Sequence, residues 1–449
     1  MRKNALLSWP LGLLAAVLIN GNCPAQDTVK TNGPAKVEVR HESGRWQLYI
    51  NHKPFYIKGA GVEFGNQDKL PEHGGNSFRT WTVENGKESG QHVLDRAWKN
   101  GLYVTMGLDV KLERHGFNYD DTNAVAQQLA GLKAQVLKFK DHPALLMWDI
   151  GNELNLQGQN PRVWDAVNDI SKMIHQVDPN HLTLTSIAGS EKQVVKEIEK
   201  RAPDLDLIAF QAYAKIVDLP NNLGESGWEK PYVLTEWGAT GYRDVKKTDW
   251  GAGIEENSSV KAASYLRRYQ TVIALDTNQC LGSYVFLWGQ KQERTPTWYG
   301  MFLETGEETE TVDVMEYIWT GHWPKIRCPH LNDFLLDGKT ADQNVHLKIG
   351  QTYTAKVLAT STLPLTYSWE IMEESAAKTR GGDFEPRPRS FPGLVIPGKN
   401  GEAQLIAPST PGAYRLFACV YDGKGHAAHA NIPFYVDPSK GDSPPTTVQ

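Results

Sequence analysis

Cysteine is scarce: four in 449 residues, far too few for a scaffold built on disulfides. Neither sign of charge dominates. Lys and Arg number 47 against 52 Asp and Glu, a formal net charge of −5, so the chain has no basic footprint for nucleic acid or an anionic membrane surface. Beyond the first twenty residues no stretch approaches the roughly 20 apolar residues of a spanning helix, and no stable membrane insertion is expected. There is no HExxH motif, P-loop or G-x-S-x-G elbow, and His and Cys do not cluster, so neither a catalytic metal nor a cofactor is indicated. What is present suits a globular protein: 40% hydrophobic and 22% charged residues exclude wholesale disorder. The 14 Trp and 17 Tyr suit either broad contact surfaces for a flat ligand or well-filled cores.

Residues 1–25 read as an export signal. Arg2 and Lys3 precede an apolar run from Ala5 to Ile19, and Cys23-Pro24-Ala25 offers small residues for cleavage. An exported protein, periplasmic or extracellular, is expected. Lipid modification at Cys23 is less favoured, because Asn20-Gly21-Asn22 lacks a leucine just upstream. Cleavage would leave Cys280, Cys328 and Cys419, enough for one bridge at most, with partners the sequence does not choose.

Residues 26–54 form a polar leader and a β-hairpin that alternates around Ser43-Gly44. From 55 to 328, eight short apolar runs alternate with amphipathic segments: 55–59, 77–81, 103–108, 145–150, 182–187, 205–211, 232–236 and 283–288. Segment 123–140 aligns Val125, Leu129, Leu132, Val136 and Phe139 on one helical face, and 260–275 does likewise with Ala263, Leu266, Tyr269 and Ile273. The crossovers 61–75 and 214–230 are poor helices. Eight such units predict an α/β chain with a closed (β/α)₈ TIM barrel. An open doubly wound sheet would carry a glycine-rich phosphate loop after its first strand, and Gly59-Ala60-Gly61-Val62-Glu63-Phe64 does not make one. Residues 329–437 lose the helical period and predict an all-β, immunoglobulin-like sandwich, with Trp369 a candidate core aromatic. Residues 438–449 read as a disordered tail.

In two segments an apolar strand runs directly into a glutamate: Trp148-Asp149-Ile150-Gly151-Asn152-Glu153 at the fourth strand and Tyr232-Val233-Leu234-Thr235-Glu236-Trp237-Gly238 at the seventh. Barrel sites form at the carboxyl ends of the strands, and strands four and seven lie on opposite sides, so the two carboxylates can face each other across a substrate. Cleaving a glycosidic bond needs that arrangement, one carboxyl protonated to release the leaving oxygen and one ionised to meet charge developing at the sugar carbon. A separation of about 5–5.5 Å corresponds to the retaining mechanism. The plainer alternative is a structural ion pair at each strand end.

These two motifs resemble those of the clan A glycoside hydrolases, across about 55–323. The resemblance implies Glu153 as acid/base, Glu236 as nucleophile and Asn152 as the partner of the sugar 2-hydroxyl. It further implies Arg79 beside the nucleophile, Tyr213 in contact with it and Trp288 under the bound sugar. Gln211 stands where many members have His or Asn. Trp237 is a further candidate for sugar contact, with Trp81, Trp250, Trp298 and Tyr299 as other aromatics that could stack on a ring. Glu293 and Glu63 read as solvated.

The order of export signal, barrel and sandwich resembles bacterial endo-β-1,3-glucanases. A polysaccharide or oligosaccharide substrate, a β-glucan of the laminarin kind, is the expectation. A transglycosylase, a mannan- or galactoside-cleaving β-glycosidase and a non-catalytic carbohydrate-binding protein remain alternatives. Glycan binding, propping and spacing are all open for the sandwich, and the mouth loops, chiefly 238–257, are not readable from spacing.

Overall fold

A computed structural model of the chain describes residues 33–63 and 66–438. The signal expected over 1–25, the alternative at Cys23 and all but the first residue of the expected tail lie outside the described residues.

Strands β1 (Val37–Glu42), β2 (Arg45–Ile50) and β3 (Lys53–Phe55) form an antiparallel sheet. Its turn at Ser43-Gly44 has φ of 52° and 78°. Eight further strands close into a parallel barrel: β4 (Ile57–Gly61), β5 (Ser77–Arg79), β6 (Tyr103–Leu108), β7 (Leu145–Asn152), β8 (Leu182–Ala188), β9 (Ile208–Gln211), β10 (Tyr232–Gly238) and β11 (Cys280–Phe286). Gly282 of β11 pairs with Ile57 of β4 to complete the ring. Each predicted run overlaps one barrel strand. Both faces of such strands are covered, which is why 145–150 is a continuous apolar run broken only by Asp149. Val37, Leu48 and Ile50 of the small sheet share a core with Leu146, Val233 and Leu281 from the starts of barrel strands, closing the amino-terminal end.

Helices α1 (Gly90–Lys99), α2 (Thr122–Phe139), α3 (Arg162–Val177), α4 (Lys192–Arg201), α5 (Leu219–Ser226), α6 (Ser258–Thr271) and α7 (Glu310–Thr320) fill the crossovers. The first crossover has only short 3₁₀ turns among its described residues, and α5 is only eight residues long. In α2 the predicted face holds, with Leu132, Val136 and Phe139 buried and Asp121 capping the amides of Asn123 and Ala124.

The predicted face of α6 does not hold throughout. Ala263 is exposed, and the buried residues are Ser258, Ser259, Lys261, Ala262, Ser264, Tyr265 and Arg268. The reason is a second neighbour: Ser258 and Ser259 hydroxyls accept the backbone N–H groups of His429 and Leu331 from the C-terminal domain. Lys261 and Glu255 are buried there as an ion pair, and the Lys261 ammonium holds Glu255 down to about 2 against the cost of burial. Asn431 also donates to Glu255. A polar helix face can be buried when each charge finds a partner.

That C-terminal domain is a β-sandwich of strands β12 (His330–Leu336), β13 (Val345–Lys348), β14 (Thr352–Thr360), β15 (Thr366–Glu373), β16 (Val395–Pro397), β17 (Glu402–Ile406), β18 (Gly412–Tyr421) and β19 (Ala427–Asp437). One sheet runs β12-β14-β17-β16 and the other β13-β19-β18-β15. Leu336, Val357 and Leu405 from the first pack with Leu416, Ile432 and Phe434 from the second. Trp369 is half-buried against this core, its ring 5.8 Å from Phe334. Cys280, Cys328 and Cys419 are all free thiols. Among the described residues no helix is long and apolar enough to cross a membrane.

Candidate active site

A cavity of about 660 Å³ opens at the carboxyl ends of the strands and is lined by both Glu153 and Glu236. Glu236 sits in β10, two residues before its end, and is buried. Three donors converge on its carboxylate. Arg79 Nη1 and Trp81 Nε1 each donate to Oε1 at 2.9 Å, and the Tyr213 hydroxyl donates to Oε2 at 2.7 Å. Hydrogen bonds of this kind fix the orientation of the carboxylate. Burial and the Glu236 charge push the Tyr213 phenol well above its usual range, so it stays a donor.

Glu153 lies one residue past β7, in the left-handed backbone region with φ 50°. A non-glycine residue there is uncommon and marks a locally imposed conformation. Gly151, two residues earlier, also has positive φ (79°), and a Cβ on it would lie 2.8 Å from Leu154 Cδ1, so the position needs glycine. Among the described residues no side chain donates to the Glu153 carboxylate. Burial first, then the charge of Glu236, raise its pKa to about 7, with Arg114 and Arg243 opposing. The two carboxylates therefore differ in kind: one is solvated by donors, the other is left to hold a proton.

Asn152 accepts from Arg79 Nη2 at 3.0 Å and from Gln211 Nε2 at 2.6 Å. With that oxygen occupied, its amide N–H groups are what it can offer a sugar hydroxyl. Gln211 thus orients Asn152 as a donor.

Beneath the site the barrel interior is polar. Arg79 is fully buried and pairs with Asp149 at 3.2 Å as well as with Glu236. Ser186 donates to Asp149 at 2.7 Å and its hydroxyl also bonds that of Thr235. Burial lifts Asp149 to about 6 against the pull of Arg79. Removing one partner of a buried pair leaves an uncompensated charge, so Arg79→Met is expected to cost about 3–5 kcal/mol in urea unfolding at pH 8. The loss should shrink at pH 5, where Asp149 takes up a proton; an equal loss at both pH values would contradict this assignment.

Not every expected residue reaches the cavity. Trp237 is fully buried against Tyr265 and Tyr269, because it follows Glu236 and so points to the opposite side of β10. Trp288 is also fully buried, packed on Phe302 and Trp319, with its Nε1 bound to the Asn66 carbonyl. These two corrections remove both as sugar platforms. Strand β11 ends at Phe286, two residues before the expected end, and it is Phe286 and Leu287 that line the cavity. Of the other aromatics, Trp81 and Tyr299 line it, whereas Trp298 is buried and Trp250 packs on His346 and Tyr435. Glu63 and Glu293, read as solvated, both lie along the wall, Glu293 paired with Lys291 at 3.4 Å.

Residues that sequence reasoning missed are Asp149, the donor role of Trp81, the orienting role of Gln211, and Arg114. The alternation of β7 could have flagged Asp149, a charge inside a buried strand. Among the described residues no group of three or more His, Cys, Asp or Glu side chains could hold a metal ion.

One mouth of the closed parallel barrel thus holds two carboxylates with unequal surroundings. Residues 76–245 match the family model for the TIM barrel domain of glycosyl hydrolases family 2. Mannan endo-1,4-beta-mannosidase F of Aspergillus fumigatus is 25% identical over 186 residues, 34% of this chain and 42% of that protein. A beta-glucuronidase of Streptococcus agalactiae is 24% identical over 259 residues, 48% of this chain and 41% of that one. The chain thus spans about two fifths of the length of these relatives. Among solved structures, a β-glucuronidase from Ruminococcus gnavus superposes with a TM-score of 0.49 at 15% identity, covering 64% of this chain and 52% of that one.

Proposed function

We propose that the protein hydrolyses a neutral β-linked polysaccharide by a retaining double displacement. The observation that carries this reading is the unequal treatment of two carboxylates in one cavity: three donors on Glu236 and, among the described residues, none on a half-buried Glu153. Glu236 attacks the sugar carbon while Glu153 gives its proton to the departing oxygen. Water, deprotonated by Glu153, then releases the sugar from Glu236. Asn152 holds the 2-hydroxyl, and Arg79, Trp81 and Tyr213 fix the Glu236 carboxylate in place for attack.

The wall supports an uncharged substrate over an anionic one: eight of its side chains are carboxylates and four are cations. A uronate would meet net repulsion there. A β-1,3-glucan is favoured by the order of barrel and sandwich, and a β-mannan is the second reading, favoured by the named activity of the Aspergillus relative. Export, suggested by residues 1–25, would bring the protein to such polymers.

The test is a panel of laminarin, β-mannan, a β-galactoside and an aryl β-glucuronide, with the first-formed anomer read by NMR. Cleavage of a neutral glycan to the β-anomer is expected. A first-formed α-anomer would overturn the retaining mechanism, and inertness toward every neutral glycan would overturn the function.

A further inference from the structure

The segment 374–389, between β15 and β16, leaves the sandwich and reaches the barrel mouth. Its neck is closed by Glu373 N–H donating to the Arg389 carbonyl at 2.9 Å. Glu385, 3% exposed, pins it from within, accepting from Ser375 Oγ at 2.6 Å and from the backbone N–H of Arg294 at 3.0 Å. The Arg294 guanidinium in turn donates to the carbonyls of Ala377 and Thr379. Lys291 Nζ donates to the Gly382 carbonyl at 3.0 Å. A buried carboxylate and barrel cations from the loop after β11 thus hold an irregular strand of chain in one place.

What they hold is part of the site. Gly381, Gly382 and Asp383 line the same cavity as the two glutamates. A Cβ on Gly381 (φ 62°) would lie 3.1 Å from Glu153 Oε2 and 2.6 Å from Leu156 Cδ2, so this backbone packs against the acid/base itself. Arg114, from the loop after β6, has a side chain only 6% exposed. Its Nη2 is held at 3.4 Å by the Gly381 carbonyl and at 3.5 Å by Asp383. Its Nε and Nη1 are buried in the described structure without a hydrogen-bond partner. Buried, unpaired donors are costly, and a ligand in the cavity that Arg114 lines would satisfy them. The next residue of this pinned segment, Phe384, is 86% exposed.

The segment stands on the Glu153 side, and Glu153 serves the departing oxygen. We infer that the sandwich completes the leaving-group half of the site: Arg114, clamped by 381–383, binds hydroxyls of the sugar that departs, and Phe384 offers a platform to the next unit. This rests on the hydrolase reading above. The cavity's carboxylate excess again selects a neutral sugar as the ligand, and adjacent hydroxyls match two donors of one guanidinium.

The test compares two substrates of the full chain: the pentasaccharide of whichever backbone the panel selects, and the 4-nitrophenyl β-glycoside of its trisaccharide, which has no sugar beyond the scissile bond. In Phe384→Ala and Arg114→Gln, kcat/KM for the pentasaccharide should fall about tenfold or more. The fall for the aryl glycoside should be at least fivefold smaller. Transfer from the aryl glycoside to added oligosaccharide acceptor should fall in parallel, because the acceptor uses the same half-site. Equal losses on both substrates, or an unchanged pentasaccharide in both variants, would overturn the inference and leave the hydrolase standing. A wild-type chain inert on both would overturn the two together. Phe384 is exposed, so its variant keeps the test valid even if Arg114→Gln fails to fold.

Discussion

Glu236→Gln is expected to lower kcat on the glycan by about 10⁴-fold or more, the scale seen when a nucleophile is removed. An amide cannot form the glycosyl ester, and the donors from Arg79, Trp81 and Tyr213 then meet a neutral group. Single-turnover assays with the folded variant measure this directly. Glu236→Gly opens the same face of the sugar. With an aryl glycoside and added azide, the azide nitrogen should attack the anomeric carbon from that face as the phenolate leaves, giving the glycosyl azide of inverted configuration. An azide of retained configuration would instead make Glu153 the nucleophile. Turnover surviving within tenfold in Glu236→Gln would sink the covalent route.

Glu153→Gln is expected to cost about 10²–10⁴-fold on the polysaccharide, the usual contribution of a positioned general acid. The cost to glycosylation should be far smaller for a dinitrophenyl glycoside, whose leaving group departs without a proton. In the unaltered chain Glu153 must be protonated to act, and its pKa of about 7 sets the alkaline limb of the pH profile. Activity should fall as pH rises through 7, and that limb should vanish in the variant.

Stability carries the opposite signature. The folded carboxyl holds its proton to about 7, whereas the unfolded one releases it near 4.5. Between those values the unfolded state binds fewer protons, so raising the pH destabilises the fold. Glu153→Gln removes that cost and should be the more stable protein at pH 8, by roughly 1–2 kcal/mol once the partial solvent contact of Glu153 is discounted. The difference should disappear near pH 4. A variant less stable than its parent at pH 8 would show that Glu153 is paired more fully than this structure has it.

The eight strands were readable because each is an apolar run buried on both faces, and burial of that kind leaves little room for another pattern. Glu153 and Glu236 were readable because each interrupts such a run at its carboxyl end. Trp237 and Trp288 lie off the cavity for a local reason: period-two alternation sends neighbours of a strand-end residue to opposite faces, and β11 ends at Phe286, two residues before Trp288. The buried face of α6 was illegible because a helix's own period cannot reveal a second domain packed on it.

By itself the chain's order of apolar runs and interrupting carboxylates determined the barrel, the pair of glutamates and the all-β character of the C-terminal domain. Only the tertiary structure decided that Arg79 ties Glu236 to Asp149, that Gln211 turns Asn152 toward the cavity, and that 374–389 stands beside Glu153. Those relations join residues more than fifty positions apart through distances and angles. Periodicity reports which side of its own element a residue occupies, and carries no record of what the folded chain brings to meet it there.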